Sequence, residues 1–175
     1  MTAVLAKSSA IGNESHWSVE DVTTDEDVRS SAFSDDWLPL TATITLYIEP
    51  TLREAAWLDD LLDDLRDVVA LKANWNGCGE RSIHASSVKR AVDILNRMPP
   101  TISRPHVVPL SSGAVQLEWH RPDLSVEVEV PPEGPAVGNA YSDDDEIDIE
   151  WKVAGQPNDG RGVAQLNSLL ADRIA

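Results

Sequence analysis

Alternating apolar and polar residues predict most of the strands in this chain. From Thr41 to Ile48, apolar residues occupy every second position, which is typical of a half-buried strand. The same pattern, or a shorter version of it, predicts five further strands, at 106–110, 115–120, 124–130, 137–141 and 146–153. Glycine, proline and aspartate separate these segments. Because consecutive strands usually pair, we expect an antiparallel meander.

Apolar positions spaced by three and four residues predict three amphipathic helices. The first runs from Leu52 to about Lys72 and begins with a capping box formed by Thr51 and Glu54. The other two cover 85–98 and 163–174. We therefore expect an α+β fold in which an antiparallel β-meander packs on an amphipathic helical hairpin, with a C-terminal helix.

The length of the chain favours one domain with appendages, since 175 residues support one ordinary core. Residues 1–38 mix acidic and hydroxyl side chains with isolated bulky residues and show no sustained period. We interpret 1–38 as an acidic, partly disordered N-terminal segment and 39–175 as a single α+β domain. No segment resembles a secretory signal or a membrane-spanning helix.

Charge restricts the possible partners more than any motif does. The net charge is −16 and the pI is near 4.4, although 42% hydrophobic residues place the chain in the globular range. Such a charge repels phosphate backbones and anionic lipids, so we expect neither direct nucleic-acid binding nor membrane binding. A basic protein is the expected partner. The single cysteine agrees with a reducing, cytoplasmic location.

Acidic residues cluster on two predicted surfaces, which we regard as candidate partner-binding sites. On the first helix, like charges stand four residues apart, at Asp60, Asp63, Asp64 and Asp67. On the outer face of the predicted sheet, alternation brings together Glu118, Glu127, Glu129, Glu146, Asp148 and Glu150. Solvated carboxylates are the simpler interpretation of both sets, and docking of arginine and lysine side chains is the functional one.

A catalytic alternative rests on Cys78 and His84. Cys78 lies between two glycines just before a predicted helix, where backbone amides can lower the pKa of a thiol, and His84 could act as its base. A zinc site at Cys78, Glu80 and His84 would lack a second cysteine or a histidine pair at short spacing, so we expect no metal site. The loop lacks the features of a phosphate-binding motif, and we expect no cofactor.

The segment from Asn74 to Ile83 is the most distinctive stretch of the chain. It reads Asn-Trp-Asn-Gly-Cys-Gly-Glu-Arg-Ser-Ile. Asn-Gly favours a positive φ, Gly79 permits a second, and Trp75 can anchor the loop between two helices. An architectural corner is therefore the expected role of this loop.

This loop and a later strand together carry a resemblance. The loop, followed by Gly-Ala-Val-Gln-Leu-Glu-Trp at 113–119, resembles a group of small bacterial proteins that have a Trp-Asp/Asn-Gly-x-Gly loop and a Gly-x-Val/Ile-x-Leu-Glu-Trp strand. The resemblance covers about 58–130 and departs at Glu80 and Ser82, where the group has alanine and proline. It implies no activity and no functional residue.

The leading functional hypothesis is a non-enzymatic acidic interaction protein of a bacterial cytoplasm. It would be an accessory, inhibitor or antitoxin-like regulatory subunit that binds a more basic protein. One alternative is a mimic of nucleic acid that occupies the binding groove of such a partner. The other is a small cysteine-dependent hydrolase or transferase that uses Cys78 and His84.

Overall fold

The computed structural model describes residues 36–143, 146–154 and 160–171 of the chain. The elements below belong to one compact unit, Phe33–Ala175. Of the N-terminal segment predicted for 1–38, residues 1–35 lie outside the described part. Residues 37 and 38 belong to a strand.

A short hairpin opens the described part of the chain. Strands β1 (Trp37–Pro39) and β2 (Thr45–Tyr47) pair antiparallel, with Leu38 opposite Leu46. The single strand predicted for 41–48 is therefore too long, because its first residues form a turn. In that turn the Leu40 amide donates to the Ile44 carbonyl at 2.8 Å, and the Ile44 amide donates to the Thr41 hydroxyl at 3.2 Å. The alternation remains correct from Ile44 to Ile48.

The first helix is shorter than predicted. Leu52–Glu54 form one turn of 3₁₀ helix, Ala55 is extended, and α1 begins only at Leu58 and ends at Ala70. The predicted capping box is wrong, since Thr51 itself has helical dihedrals and its side chain makes no capping hydrogen bond. With the helix interrupted between them, Leu52 and Leu58 are both buried in the core.

The remaining helices and the main sheet follow the predicted order. Helices α2 (Ala85–Leu95) and α3 (Gly160–Ala171) flank five strands in sequence. These are β3 (His106–Pro109), β4 (Val115–Arg121), β5 (Leu124–Val130), β6 (Ala136–Tyr141) and β7 (Asp148–Ala154). They pair antiparallel in the order β3-β4-β5-β6-β7. The predicted α+β fold is confirmed, with its antiparallel meander and C-terminal helix.

The three helices contact different strands of this sheet. Helix α1 contacts β3, α2 contacts β4 and β5 as well as β2, and α3 contacts β7. The alternate residues of β4 and β5 that face the helices are buried. The ring of Trp151, on β7, packs directly against Gly138 of β6. A Cβ added to Gly138 would lie only 2.5 Å from Trp151 Cζ2. Glycine at this position therefore admits the tryptophan.

The segment that joins α2 to β3 is held from three directions. Trp57, before α1, donates its indole N–H to the Ile102 carbonyl at 2.8 Å, and Trp119 of β4 donates to the Ser103 carbonyl at 2.8 Å. The next residue, Arg104, extends its guanidinium to helix α1. The connection therefore fixes α1 against the edge of the sheet at β3.

Candidate functional site

The outer face of the five-stranded sheet carries a row of acidic side chains. Glu118 on β4 lies directly opposite Glu127 on β5, which in turn lies opposite Asn139 on β6. Asn139 is opposite Glu150 on β7, and at the other end of the row Glu118 is opposite His106 on β3. Side chains directly opposite each other on adjacent strands have Cβ atoms only about 5 Å apart, so the two glutamates repel.

Hydrogen-bonding side chains surround the acids of this row. Gln116 donates its amide to Glu118 Oε1 at 2.7 Å, and His120 Nε2 lies 2.8 Å from Glu118 Oε2. Tyr141 donates its hydroxyl to Glu127 at 3.2 Å. A hydrogen bond from a neutral donor stabilises a carboxylate but does not compensate its negative charge. Only a cationic donor does both.

The other predicted acids of the sheet lie around this row. Glu129 is opposite Gln116, and Asp148 is opposite Tyr141 at the start of β7. Both are exposed, as is Glu150. Glu146 is exposed and precedes β7, so it lies outside the ladder in which it was expected. The sheet acids, by which we mean Glu118, Glu127, Glu129, Asp148 and Glu150, therefore share one solvent-facing surface.

The predicted acids of α1 are in a different situation, because arginines lie among them. Arg104 forms ion pairs with Asp64 and, at 3.4 Å, with Asp60, and it donates to the Asp60 carbonyl as well. Arg66 pairs with Asp63 and also donates to the Leu40 carbonyl. Three of the four predicted α1 acids thus have a counterion from this chain.

A groove of about 600 Å³ runs between α1 and the edge of the sheet. Asp64 and Asp67 contribute to one wall, and His106, Glu118 and His120 contribute to the other. Val68, Val107 and Val108 complete its lining. The two acidic surfaces meet in this groove, where the imidazole rings of His106 and His120 have centroids 6.2 Å apart.

A smaller groove of about 230 Å³ lies between the hairpin and α2. Trp37 and Tyr47 form part of its wall, with ring centroids 5.4 Å apart, and Asp93 and Lys89 of α2 form another part. Loss of solvent raises the pKa of Asp93, against the opposing effect of Arg97 and Arg90. Desolvation also raises the pKa of Tyr47, with help from Glu49. No sequence pattern indicated this groove.

The loop from Asn74 to Glu80 is held by its own side chains. Asn74 has φ 63°, and Gly77 and Gly79 have φ near 90°, as the sequence predicted for the glycines. The buried Glu80 carboxylate accepts the Cys78 amide at 3.3 Å and the Asn76 amide at 3.4 Å. The Cys78 amide also donates to Asn76 at 3.0 Å. The loop amide that could stabilise a thiolate is therefore engaged with carbonyl and carboxylate oxygens.

Cys78 and His84, the alternative catalytic pair, have separate surroundings. Cys78 is exposed. The His84 ring packs against Gly113 in the β3–β4 turn, where a Cβ on Gly113 would lie 2.7 Å from His84 Cδ2, and the His84 amide donates to the Gly113 carbonyl at 2.9 Å. Within residues 36–143, no hydrogen bond joins the thiol to the imidazole.

No sequence pattern assigned a role to two residues that shape these surfaces. His106 begins β3, and only the register places it opposite Glu118. Arg104 lies 40 positions from Asp64, and no sequence spacing predicts their ion pair. His120 could have been recognised, because alternation placed it on the face of Glu118.

Comparisons with known proteins add no assignment. No family model matches the chain, and no curated protein or solved structure is significantly similar to it. Among the residues that the structure describes, no helix combines the length and the apolar character that crossing a bilayer requires. The function must therefore be argued from the surfaces themselves.

Proposed function

We propose that this protein is a non-enzymatic acidic interaction protein whose outer sheet face binds a more basic protein partner. It would act in a bacterial cytoplasm as an accessory, inhibitor or antitoxin-like regulatory subunit. The observation that carries this proposal is the opposition of Glu118 and Glu127 on a sheet face that none of the described helices covers. Such pairing destabilises a sheet, by up to about 1 kcal/mol, and a partner's cations would remove that cost.

The contrast with α1 supports the choice of the sheet face. In the described ranges, no lysine or arginine forms an ion pair with Glu127, Glu129, Asp148 or Glu150. The α1 acids Asp60, Asp63 and Asp64 already have arginine partners. Cations from another protein therefore gain more from the sheet face, where they do not displace an internal counterion. Long-range attraction from a net charge of −16 would also accelerate the encounter.

The test uses two double variants with the same change in charge. Glu129→Gln/Glu150→Gln removes two exposed sheet acids, and Asp59→Asn/Asp63→Asn removes two exposed α1 acids. Wild-type protein would first be used at low salt to recover a partner from the source organism. Titration calorimetry with the purified partner then compares the three proteins over a range of salt concentrations.

The expected result is a loss of affinity confined to the sheet variant. It should bind about tenfold more weakly than wild type, which corresponds to about 1.4 kcal/mol, and the α1 variant should change by less than about threefold. Equal losses in both variants would show that only net charge matters. No loss in either, or binding that ignores salt, would show that the sheet face is not the docking surface.

The same complex tests whether the protein mimics nucleic acid. If the partner binds DNA or RNA through the surface that recognises the sheet acids, an oligonucleotide would compete with the protein for it. Simultaneous binding of both would exclude mimicry and leave the broader proposal intact.

A further inference from the structure

The two edges of the five-stranded sheet differ in how well they resist a further strand. At one edge, β3 has four residues and ends at Pro109, which has no N–H to offer a neighbour. At the other edge, β7 has seven residues and no proline. In the part of the chain that the structure describes, the backbone of β7 forms no backbone hydrogen bond outside its ladder with β6. Unpaired N–H and C=O groups of this kind accept another strand.

Side chains of β7 also lack partners at this edge. Ile149 is 36% exposed, although it lies opposite Ala140, which is buried. Glu150 and Lys152 are exposed and two residues apart, so both project from the outer face. Lys152 lies opposite Val137 and, within the described ranges, forms no ion pair. A neighbouring strand would give both the isoleucine and the lysine something to contact.

The order of residues in β7 makes the strand complementary to itself. When two identical strands pair antiparallel about a twofold axis, the position of the axis determines which residues lie opposite each other. With the axis at Trp151, Glu150 of each copy lies opposite Lys152 of the other. Ile149 then lies opposite Val153. Opposite charges in directly opposed positions stabilise a ladder, and this register forms two such pairs.

Neighbouring registers are less favourable. An axis at Glu150 or at Lys152 places that residue opposite its own copy, and an axis at Ile149 places Asp148 opposite Glu150. Each of these registers opposes like charges on the outer face, which destabilises a ladder. The charges therefore select the register with Trp151 at its centre.

The paired segment is short. The register of β7 with β6 is regular from Asp148 to Lys152 and shifts beyond it, and such an irregularity ends regular pairing. Gly162 of α3 packs against the Lys152 carbonyl, while the side chains of Glu150 and Lys152 remain exposed. A ladder centred on Trp151 includes both pairs of Glu150 with Lys152.

The charge of the whole chain acts against the association of two copies, since it is −16. At physiological ionic strength the screening length is about 8 Å, so most of this repulsion is suppressed. Directly opposed side chains have Cβ atoms only about 5 Å apart, which is within that length. Pairing along an edge also places the two outer faces side by side, so the sheet acids of the two copies do not face each other. The local attraction therefore remains effective where the long-range repulsion is screened.

We propose that β7 pairs antiparallel with β7 of a second copy of this chain, about a twofold axis at Trp151. The two sheets become one continuous sheet, with Glu150 of each copy paired to Lys152 of the other. This inference does not depend on the proposed protein partner.

The experiment is sedimentation equilibrium of the full chain at about 0.15 M salt, over protein concentrations up to about 1 mM. Wild type should approach twice the chain mass of 19.1 kDa. Lys152→Glu and Glu150→Lys should each weaken the dimer by about tenfold or more, because each creates two like-charge pairs. Glu150→Lys/Lys152→Glu should restore wild-type association, since it exchanges the charges and keeps the net charge. Asp59→Lys is the control, because it changes the net charge as Glu150→Lys does at an exposed position on α1.

The two single variants change net charge in opposite directions, so weakening in both identifies local pairing. A wild-type chain that stays monomeric at all concentrations would overturn the proposal. So would a dimer that is weakened by only one of the two single variants, or by neither, or that the exchanged double variant fails to restore. Hydrogen exchange gives an independent measurement, in which amides of β7 should exchange more slowly at high protein concentration. Unchanged exchange in β7 while a dimer forms would place the interface elsewhere and contradict the proposal.

Discussion

The two acidic surfaces of this protein have similar composition but different surroundings. On α1, the carboxylates of Asp60 and Asp64 hold Arg104, and through it they hold the segment that leads into the sheet. On the outer sheet face, Glu118 and Glu127 oppose each other and receive hydrogen bonds from neutral side chains. The negative charge of the first surface is largely compensated by ion pairs within the fold. The second directs its charge outward, which makes it the better candidate for recognition.

The largest expected effect comes from reversing charge on the sheet face. Glu127→Lys/Glu150→Lys should weaken partner binding by more than about 100-fold, because like charges across an interface cost several kcal/mol. The control, Asp59→Lys/Asp63→Lys, makes the same change in net charge on α1 and should weaken binding much less. Calorimetry at constant salt measures both. Equal losses would remove the functional distinction between the two surfaces.

Removal of Arg104 should reveal the internal use of the α1 acids. Arg104→Ala deletes the ion pairs with Asp60 and Asp64, and we expect a loss of about 1 to 2 kcal/mol in the free energy of unfolding. Urea denaturation measures it. Arg104→Lys should recover part of this loss, since lysine keeps the charge but lacks the planar fork that reaches two carboxylates. An unchanged free energy of unfolding in Arg104→Ala would show that these ion pairs do not contribute to stability.

Neutralisation of one acid on each surface should change stability in opposite directions. Glu127→Gln removes repulsion from Glu118 and should stabilise the fold by about 0.2 to 1 kcal/mol. Asp64→Asn removes a partner of Arg104 and should destabilise it by about 0.5 to 1 kcal/mol. Chemical denaturation of the two variants under the same conditions provides the comparison. Changes of the same sign would mean that total charge, and not local pairing, determines stability.

Salt should produce the smallest of these effects. Raising the ionic strength to about 1 M shortens the screening length to about 3 Å, so repulsion on the sheet face weakens. We expect wild type to gain a few tenths of a kcal/mol in unfolding free energy, and Glu127→Gln to gain less, since one repulsive pair is already absent. Urea denaturation at low and high salt tests this. An equal gain in both proteins would place the repulsion elsewhere in the chain.

Local periodicity was sufficient to predict the meander and the faces of its strands. Val115 and Val128 are fully buried where alternation placed them, and Glu118 and Glu127 lie on the opposite face. This succeeds because a strand has a side-chain period of two, and a buried face permits only one register. The start of α1 was wrong, since burial of both Leu52 and Leu58 overrides the local capping pattern.

The counterions and the groove could not be predicted in the same way. The ion pair between Arg104 and Asp64 joins residues that are distant in the chain, and two tryptophans hold the adjacent residues Ile102 and Ser103 in place through hydrogen bonds. His106 and Glu118 become neighbours through the pairing of β3 with β4. Such contacts depend on tertiary structure, so a sequence that identifies acidic residues does not show which of them have partners.

The opposed glutamates also affect how copies of the protein behave at high concentration. A sheet with one uncovered face can stack on the same face of a second copy, which is a route to aggregation. Here such stacking would bring Glu118, Glu127 and Glu150 of one copy against those of another without an intervening cation. The face therefore disfavours stacking of two copies, and under the proposed function the same side chains that prevent this stacking would attract a basic partner.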